Sequence, residues 1–340
     1  MKITTMGIDL AKAVFQVHGV DAHGKTVLKK QIKREQLPVF FAKLEPCLIG
    51  MEACGSAHHW ARKFEEFGHT VRLIAPQFVK PYVKTNKNDA ADAEAICEAV
   101  GRPNMRFVPI KNVEQQAVLS LHRVRQGFVK ARTAQANQIR GLLSEFGLII
   151  PIGIANIASR VPALLEEAAH RLPGSFRQLV ERMMGHLKEL DRNVGELELQ
   201  IKAWHRSSDL SCKLEKVPGI GPITASALVA TIGDARNFKS GRQLAAWLGL
   251  VPRQHSTGGK STLLGISKRG DCYLRTLLVH GARAVIRHVQ GKASGSGWLP
   301  SLLARRHQNV AAVALANKNA RIIWALLAHE RQYRSDYAIA

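Results

Sequence analysis

The first 75 residues constrain the fold most, because the spacing of their apolar positions changes twice. Ile3–Asp9 is an apolar run, Ala13–Val20 alternates through Val14, Gln16, Val17 and His18, and Val27–Ile32 follows the turn Asp21-Ala22-His23-Gly24. Short runs of this kind between turn residues predict strands, and three in succession predict a β-meander. A helix is expected near Glu35–Leu44, with Pro38 placing its secure start late. Then come a buried strand Cys47–Met51 ending at Glu52, a helix over about Ala57–Phe67 closed by Gly68, and a strand Thr70–Ala75.

A meander followed by strand–helix–strand is the element order of a ribonuclease-H-like (RuvC-like) sheet. Four carboxylates punctuate this region. Asp9 ends the first strand in Gly7-Ile8-Asp9-Leu10-Ala11-Lys12, and Glu52 ends the fourth in Ile49-Gly50-Met51-Glu52-Ala53. Asp89 and Asp92 lie three apart in Lys87-Asn88-Asp89-Ala90-Ala91-Asp92, at the start of an Ala-rich helical stretch, and so share a helix face. Strand ends and one helix face can gather acids into a divalent-metal site. Their oxygens suit Mg²⁺, with Mn²⁺ as an alternative, over zinc. The competing reading is local: Asn88, or Asn86, caps the helix and the two aspartates complement its dipole. The polar, basic segment Gln77–Lys87 reads as a loop over the acids.

Charge points to the partner. The chain carries a formal net charge of +23, and it is uneven: 14 Lys/Arg against 11 Asp/Glu in residues 1–100, but 35 against 15 in residues 101–340. An excess of that size implies a polyanion, with counterion release supplying affinity. The five cysteines form no Cys-x-x-Cys pair and no zinc spacing, which reads as reduced cytosolic thiols, with Cys47, Cys54 and Cys97 expected in the core. The N-terminus lacks a signal-peptide profile and no apolar run reads as a membrane span. The expected location is the cytoplasm, with the nucleoid, and no membrane partner.

The remainder is expected to be mainly helical. A long helical pattern covers about Asn112–Phe146 and another about Ser175–Trp204, separated by a break at Pro151 and Gly153. In the second, Met183, Leu187, Leu190, Val194, Leu197 and Ile201 step by 4, 3, 4, 3 and 4. This heptad seam suits an antiparallel helical hairpin or a coiled-coil contact between copies. Val217-Pro218-Gly219-Ile220-Gly221-Pro222 precedes the helical Ile223–Ile232. Its Gly219 and Gly221 would let backbone N–H groups approach a phosphate in a helix–hairpin–helix manner. Between Trp247 and the helical Cys272–Val289 lies a run with two glycines, the hydroxyl pair Ser256-Thr257 and flanking cations. It reads as a loop that grips phosphate or presents a nucleophile. Arg253, Lys260, Lys268 and Arg269 are candidate phosphate contacts, supplying affinity rather than sequence reading. Trp247 and Trp324 are expected as core anchors, and Asn309–Gln332 as an apolar helix. The domain boundaries predicted are 1–110, 111–205 and 206–340.

Taken in order, these motifs resemble a known family over nearly the whole chain. Gly-Ile-Asp-x-Ala-Lys, Met-Glu-Ala and Lys-Asn-Asp-Ala-Ala-Asp resemble the DEDD transposase domain. Pro-Gly-Ile-Gly-Pro, Gly-Leu-Val-Pro-Arg-Gln-His-Ser and Ile-Ser-Lys-Arg-Gly-Asp resemble that family's C-terminal transposase domain. It is the insertion-sequence family that includes the Piv/MooV invertases and the RNA-guided bridge recombinases. The resemblance implies a RuvC-like domain holding Mg²⁺ through Asp9, Glu52, Asp89 and Asp92. It further implies a coiled-coil linker, a C-terminal serine that attacks DNA, a noncoding guide RNA from the element, and a dimer or tetramer. The matching hydroxyl is Ser256, with Thr257 the alternative one position on.

A serine nucleophile conserves the phosphodiester bond energy in a phosphoserine, so strands can be rejoined without ATP. His255 is adjacent in sequence, yet adjacency does not bring the two side chains together; a structural or phosphate-contacting role suits it better. Two alternatives stay open: a water-using RuvC-like nuclease whose Ser256 segment only grips DNA, and a non-catalytic nucleic-acid-binding protein.

Overall fold

The computed structural model describes residues 2–84, 88–290 and 297–334. The chain divides into two compact units, Met1–Glu114 and Gln115–Ala340.

In the first unit β1 (Thr5–Asp9), β2 (Val14–Val20) and β3 (Thr26–Lys33) form the antiparallel meander. A 3₁₀ turn, Arg34–Gln36, leads into α1 (Leu37–Ala42), where Pro38 sits in the first turn and so forfeits no helical hydrogen bond. β4 (Leu48–Glu52), α2 (Ala57–Glu66) and β5 (Thr70–Ile74) follow, with β4 parallel to both β1 and β5. The expected loop after Pro76 is instead a short α3 (Pro76–Val79) and a 3₁₀ turn Lys80–Tyr82, because Val79 buries itself under the sheet. Residues 85–87, which include the alternative cap Asn86 and the end of that expected loop, lie outside the described residues. α4 (Asp89–Val100) comes next, and a two-residue β6 (Phe107–Val108) adds an antiparallel edge that the sequence did not suggest. The sheet order is β3-β2-β1-β4-β5-β6.

Pleating divides this sheet into two faces. Met6, Ile8, Phe15, Val17, Ile49 and Met51 pack with Phe41, Trp60 and Phe64 on one side. Gly7, Asp9, Gln16, His18, Gly50 and Glu52 alternate to the other, which α4 covers. A Cβ at Gly7 would overlap the Ala93 carbonyl and the Cys97 backbone, and one at Gly50 would press 2.7 Å from Val100 Cβ. Glycine at both positions is what lets α4 lie directly on the strands.

The second unit opens with α5 (Val113–Ser144), whose first two residues belong to the first unit, then α6 (Ile154–Glu167) and α7 (Gly174–Ser207). α6 contains Pro162 and lies where a break was expected; its Ile157, Val161 and Leu165 are buried against α5 and α7. Arg132 meets Asp191 at 2.7 Å and Arg125 Nε meets Glu198 at 3.0 Å, so α5 and α7 run antiparallel. The heptad seam forms the hairpin alternative: Met183, Leu187, Leu190, Val194 and Ile201 are buried within the chain.

The C-terminal core is built by α8 (Asp209–Glu215), α9 (Pro222–Ile232), α10 (Gly241–Trp247), α11 (Cys272–Gln290), α12 (Trp298–Leu303) and α13 (Gln308–Ala328). α13 is long and apolar enough to cross a membrane, contrary to the sequence reading. Its Ala312, Leu315, Ala316, Ala320 and Ile323 are nonetheless buried in this core. Trp324 is the anchor expected, donating to the Ala235 and Phe238 carbonyls, whereas Trp247 is 37% exposed and touches Phe238 edge-on.

Between α10 and α11 the expected loop is a hairpin, β7 (Pro252–Thr257) and β8 (Lys260–Ile266). Gly258 and Gly259 turn it with φ of 56° and 78°, the left-handed pair that matches strand twist.

Candidate active site and nucleic-acid interface

Asp9 and Glu52 are brought together by strand register. Ile8 pairs with Met51 across parallel β1 and β4, so the next residue on each strand is one of the two acids, both pleated to the α4 face. The half-exposed carboxylates share an electrostatic neighbour in Cys54. Its thiol is pushed up first by partial desolvation, then by Glu52 and Asp9. Cys54 is exposed, not a core residue, because the turn after Glu52 carries it to the sheet edge; Cys47 and Cys97 are buried as expected.

α4 delivers the other two acids to this edge. Cys97 Sγ reaches the Thr5 carbonyl and Ala93 lies over Gly7, so descending α4 leads toward the Asp9 end of β1. Asp89 and Asp92 extend the same stripe as buried Ala93, Ile96, Cys97 and Val100, at helical spacings of three and four. Asn88 caps the helix, its side chain accepting from the Ala91 N–H at 2.8 Å. Capping and a place on the sheet-facing stripe therefore coexist. Among the described residues, no group of three or more His, Cys, Asp or Glu stands close enough to hold a metal ion. What the fold provides is an all-carboxylate edge, with Asp9 and Glu52 adjacent and Asp89 and Asp92 directed toward them.

Gln16 was not singled out from the sequence. It pairs with Asp9 across β1 and β2, is 6% exposed and faces α4 with the acids. The signal was its polar side chain between the apolar Phe15 and Val17 of a buried strand.

Ser256 lies on β7, opposite Ser261 of β8. The Gln254 side-chain amide donates to Ser256 Oγ at 2.8 Å and to Ser261 Oγ at 3.0 Å. Strand alternation sends His255 and Thr257 to the opposite face from Ser256. His255 is thus no base for Ser256 within the hairpin, and the two candidate hydroxyls face opposite ways. Arg253, Lys260, Lys268 and Arg269 are all exposed around this hairpin.

The hairpin base is fixed to its domain. Lys268 N–H donates to the Gly249 carbonyl, Ser267 N–H donates to that of Val251, and Arg275 binds the Leu248 and Arg269 carbonyls at 3.0 Å each. Gly219, with φ of 87°, turns between α8 and α9, where its Cβ would meet the Gly281 carbonyl of α11. Internal packing thus accounts for glycine there, while Gly221 faces open space and precedes Pro222 at the start of α9.

A buried chain of polar groups joins α5, α9 and α11. Ser226 donates to the Pro222 carbonyl at 2.7 Å, leaving its oxygen to accept from His122 Nε2; His122 Nδ1 accepts from the Tyr273 hydroxyl at 2.9 Å. Burial, then nearby Arg125, pushes the His122 pKa down to about 4, so the ring is neutral as this pattern requires.

A family model described as "Transposase IS116/IS110/IS902 family" matches residues 212–295, and one described as "Transposase" matches residues 6–147. A "Probable family 20 transposase" of Pseudomonas aeruginosa is 57% identical over 98% of this chain and 99% of its own length. The "Transposase for insertion sequence element IS1111A" of Coxiella burnetii is 46% identical over 98% of the chain and 92% of its own. The "Transposase for insertion sequence element IS1328" of Yersinia enterocolitica is 46% identical over 95% and 96%. A mixed sheet with carboxylates at its strand ends, followed by a mostly helical unit, fits a DEDD-type transposase. The chain belongs to the IS116/IS110/IS902 family of insertion-sequence transposases, enzymes that transfer DNA strands. The family implies a divalent metal and DNA as partner.

Proposed function

We propose that this transposase has a RuvC-like first unit and cuts and rejoins DNA at element ends and target through Ser256, with Asp9, Glu52, Asp89 and Asp92 as its metal ligands. The observation that carries the reading is the adjacency of Asp9 and Glu52 across parallel β1 and β4, with Asp89 and Asp92 on the stripe of α4 that covers the same sheet face. The order β3-β2-β1-β4-β5, with β2 antiparallel to β1 and β3 and with β4 and β5 parallel to β1, supports the RuvC-like part of this reading.

The donor set is all carboxylate, which suits Mg²⁺ or Mn²⁺. A bound divalent ion would supply positive charge to phosphate oxygens. Ser256 attacks phosphorus, forming the Oγ–P bond as the bond to a deoxyribose oxygen breaks. Its proton passes to a general base, and the departing oxygen takes one from water. The exposed Arg253, Lys260, Lys268 and Arg269 hold the phosphate backbone, and the α8–α9 turn contributes through Gly219 and Gly221 in the helix–hairpin–helix manner. A guide RNA and a dimeric or tetrameric assembly belong to the same reading, supported by the motif resemblance alone.

Denaturing electrophoresis tests this. Protein with Mg²⁺, element RNA and labelled element-junction DNA is expected to carry label that Ser256→Ala and Asp9→Ala each abolish. Cleavage without an adduct in the wild type and in Ser256→Ala and Thr257→Ala would instead establish a water-using nuclease.

A further inference from the structure

We propose that Gln254 is a positioning residue that aims the Ser256 hydroxyl and favours its ionisation, an inference that rests on Ser256 being the nucleophile. Register places Gln254, Ser256 and Ser261 on one face of the hairpin, and the amide lies within hydrogen-bond distance of both hydroxyl oxygens. An amide NH₂ has two hydrogens, so each serine receives one.

A donor at Ser256 Oγ does two things. It occupies one lone pair and so turns the O–H away from Gln254, toward an incoming base. It also stabilises the oxyanion more than the neutral hydroxyl, because hydrogen bonds to a charged acceptor are the stronger ones. When Oγ bonds to phosphorus and the deoxyribose oxygen departs with a proton from water, the serine proton goes to the incoming base, while the Gln254 hydrogens remain on nitrogen throughout. Ser261, the second acceptor, takes the other amide hydrogen and so restrains the Gln254 side chain. His255 and Thr257 face the opposite way and receive nothing from this amide.

The residue type matters. Glutamate would accept where glutamine donates, and would draw the serine proton to itself in the wrong direction. Methionine keeps the length without the donor. All three side chains are exposed, so water competes for these bonds and they add little to folding. Their effect on rate is thus separable from stability.

The experiment measures the rate of covalent adduct formation against pH, with full-length protein, element RNA, Mg²⁺ and element-end DNA, alongside thermal melting. Gln254→Met is expected to slow adduct formation by about 10- to 100-fold and to move the rise of rate to higher pH, with the melting temperature unchanged. Gln254→Glu should be at least as slow. A Gln254→Met protein with wild-type rate and pH profile, while Ser256→Ala forms no adduct, would overturn the inference and leave the nucleophile standing. A slow Gln254→Met with an unshifted pH profile or a lowered melting temperature would assign it a structural role and equally overturn it. An adduct that persists in Ser256→Ala would remove the nucleophile reading itself.

Discussion

A side chain at position 7 would collide with main chain rather than with a flexible neighbour, which makes Gly7 a structural gauge of the α4 contact. Gly7→Ala is expected to cost about 1–3 kcal/mol or more in urea unfolding, because α4 must lift from the sheet. His122 gives a second prediction at this scale. Its folded pKa of about 4 lies below the 6.5 of an exposed histidine, so the unfolded chain binds the proton more readily between those values. Stability is therefore full above pH 6.5 and falls as pH drops toward 4, at up to about 1.4 kcal/mol per pH unit. Urea titrations at pH 7 and pH 5 should show this loss, and His122→Gln should show a smaller one. Some residues were legible in sequence and others were not. Asp9 and Glu52 announced themselves because each ends a short apolar run. Gln254 and Ser261 did not, since nothing local says that residues seven apart share a hairpin face until the register is known.

At the scale of elements, patterns that bury a face were readable and those that do not were missed. The meander and α2 show clear apolar spacing because each packs against one core. The β7–β8 hairpin has nearly every residue exposed, so it carries no inside–outside alternation to betray strands, only the Gly258-Gly259 turn. α6 was hidden by Pro151, Gly153 and Pro162, yet tertiary burial of Ile157 and Val161 overrides them. The heptad seam was legible as a seam but not as to partner, because a 3.5-residue period serves an intrachain hairpin and a dimer equally. Since Leu190 is buried within the chain, Leu190→Ala should cost about 2–5 kcal/mol on unfolding without changing the mass measured by light scattering. A change of mass at constant stability would instead make the seam an interface between copies.

For the whole molecule, the division of labour follows charge. The first unit is nearly neutral and carries the acid edge; most of the basic excess lies beyond residue 100. An edge rich in carboxylates repels nucleic acid, and a strongly basic remainder offsets that repulsion. The proposed chemistry turns on one covalent bond. Tandem mass spectrometry of the trypsin-digested protein–DNA adduct locates it: cleavage after Arg253 and Lys260 releases the peptide Gln254–Lys260, which contains both candidate hydroxyls. A nucleotide phosphate on Ser256 is the expected result. A phosphate on Thr257, on the opposite face of the hairpin, or DNA cleavage with this peptide unmodified, would contradict it.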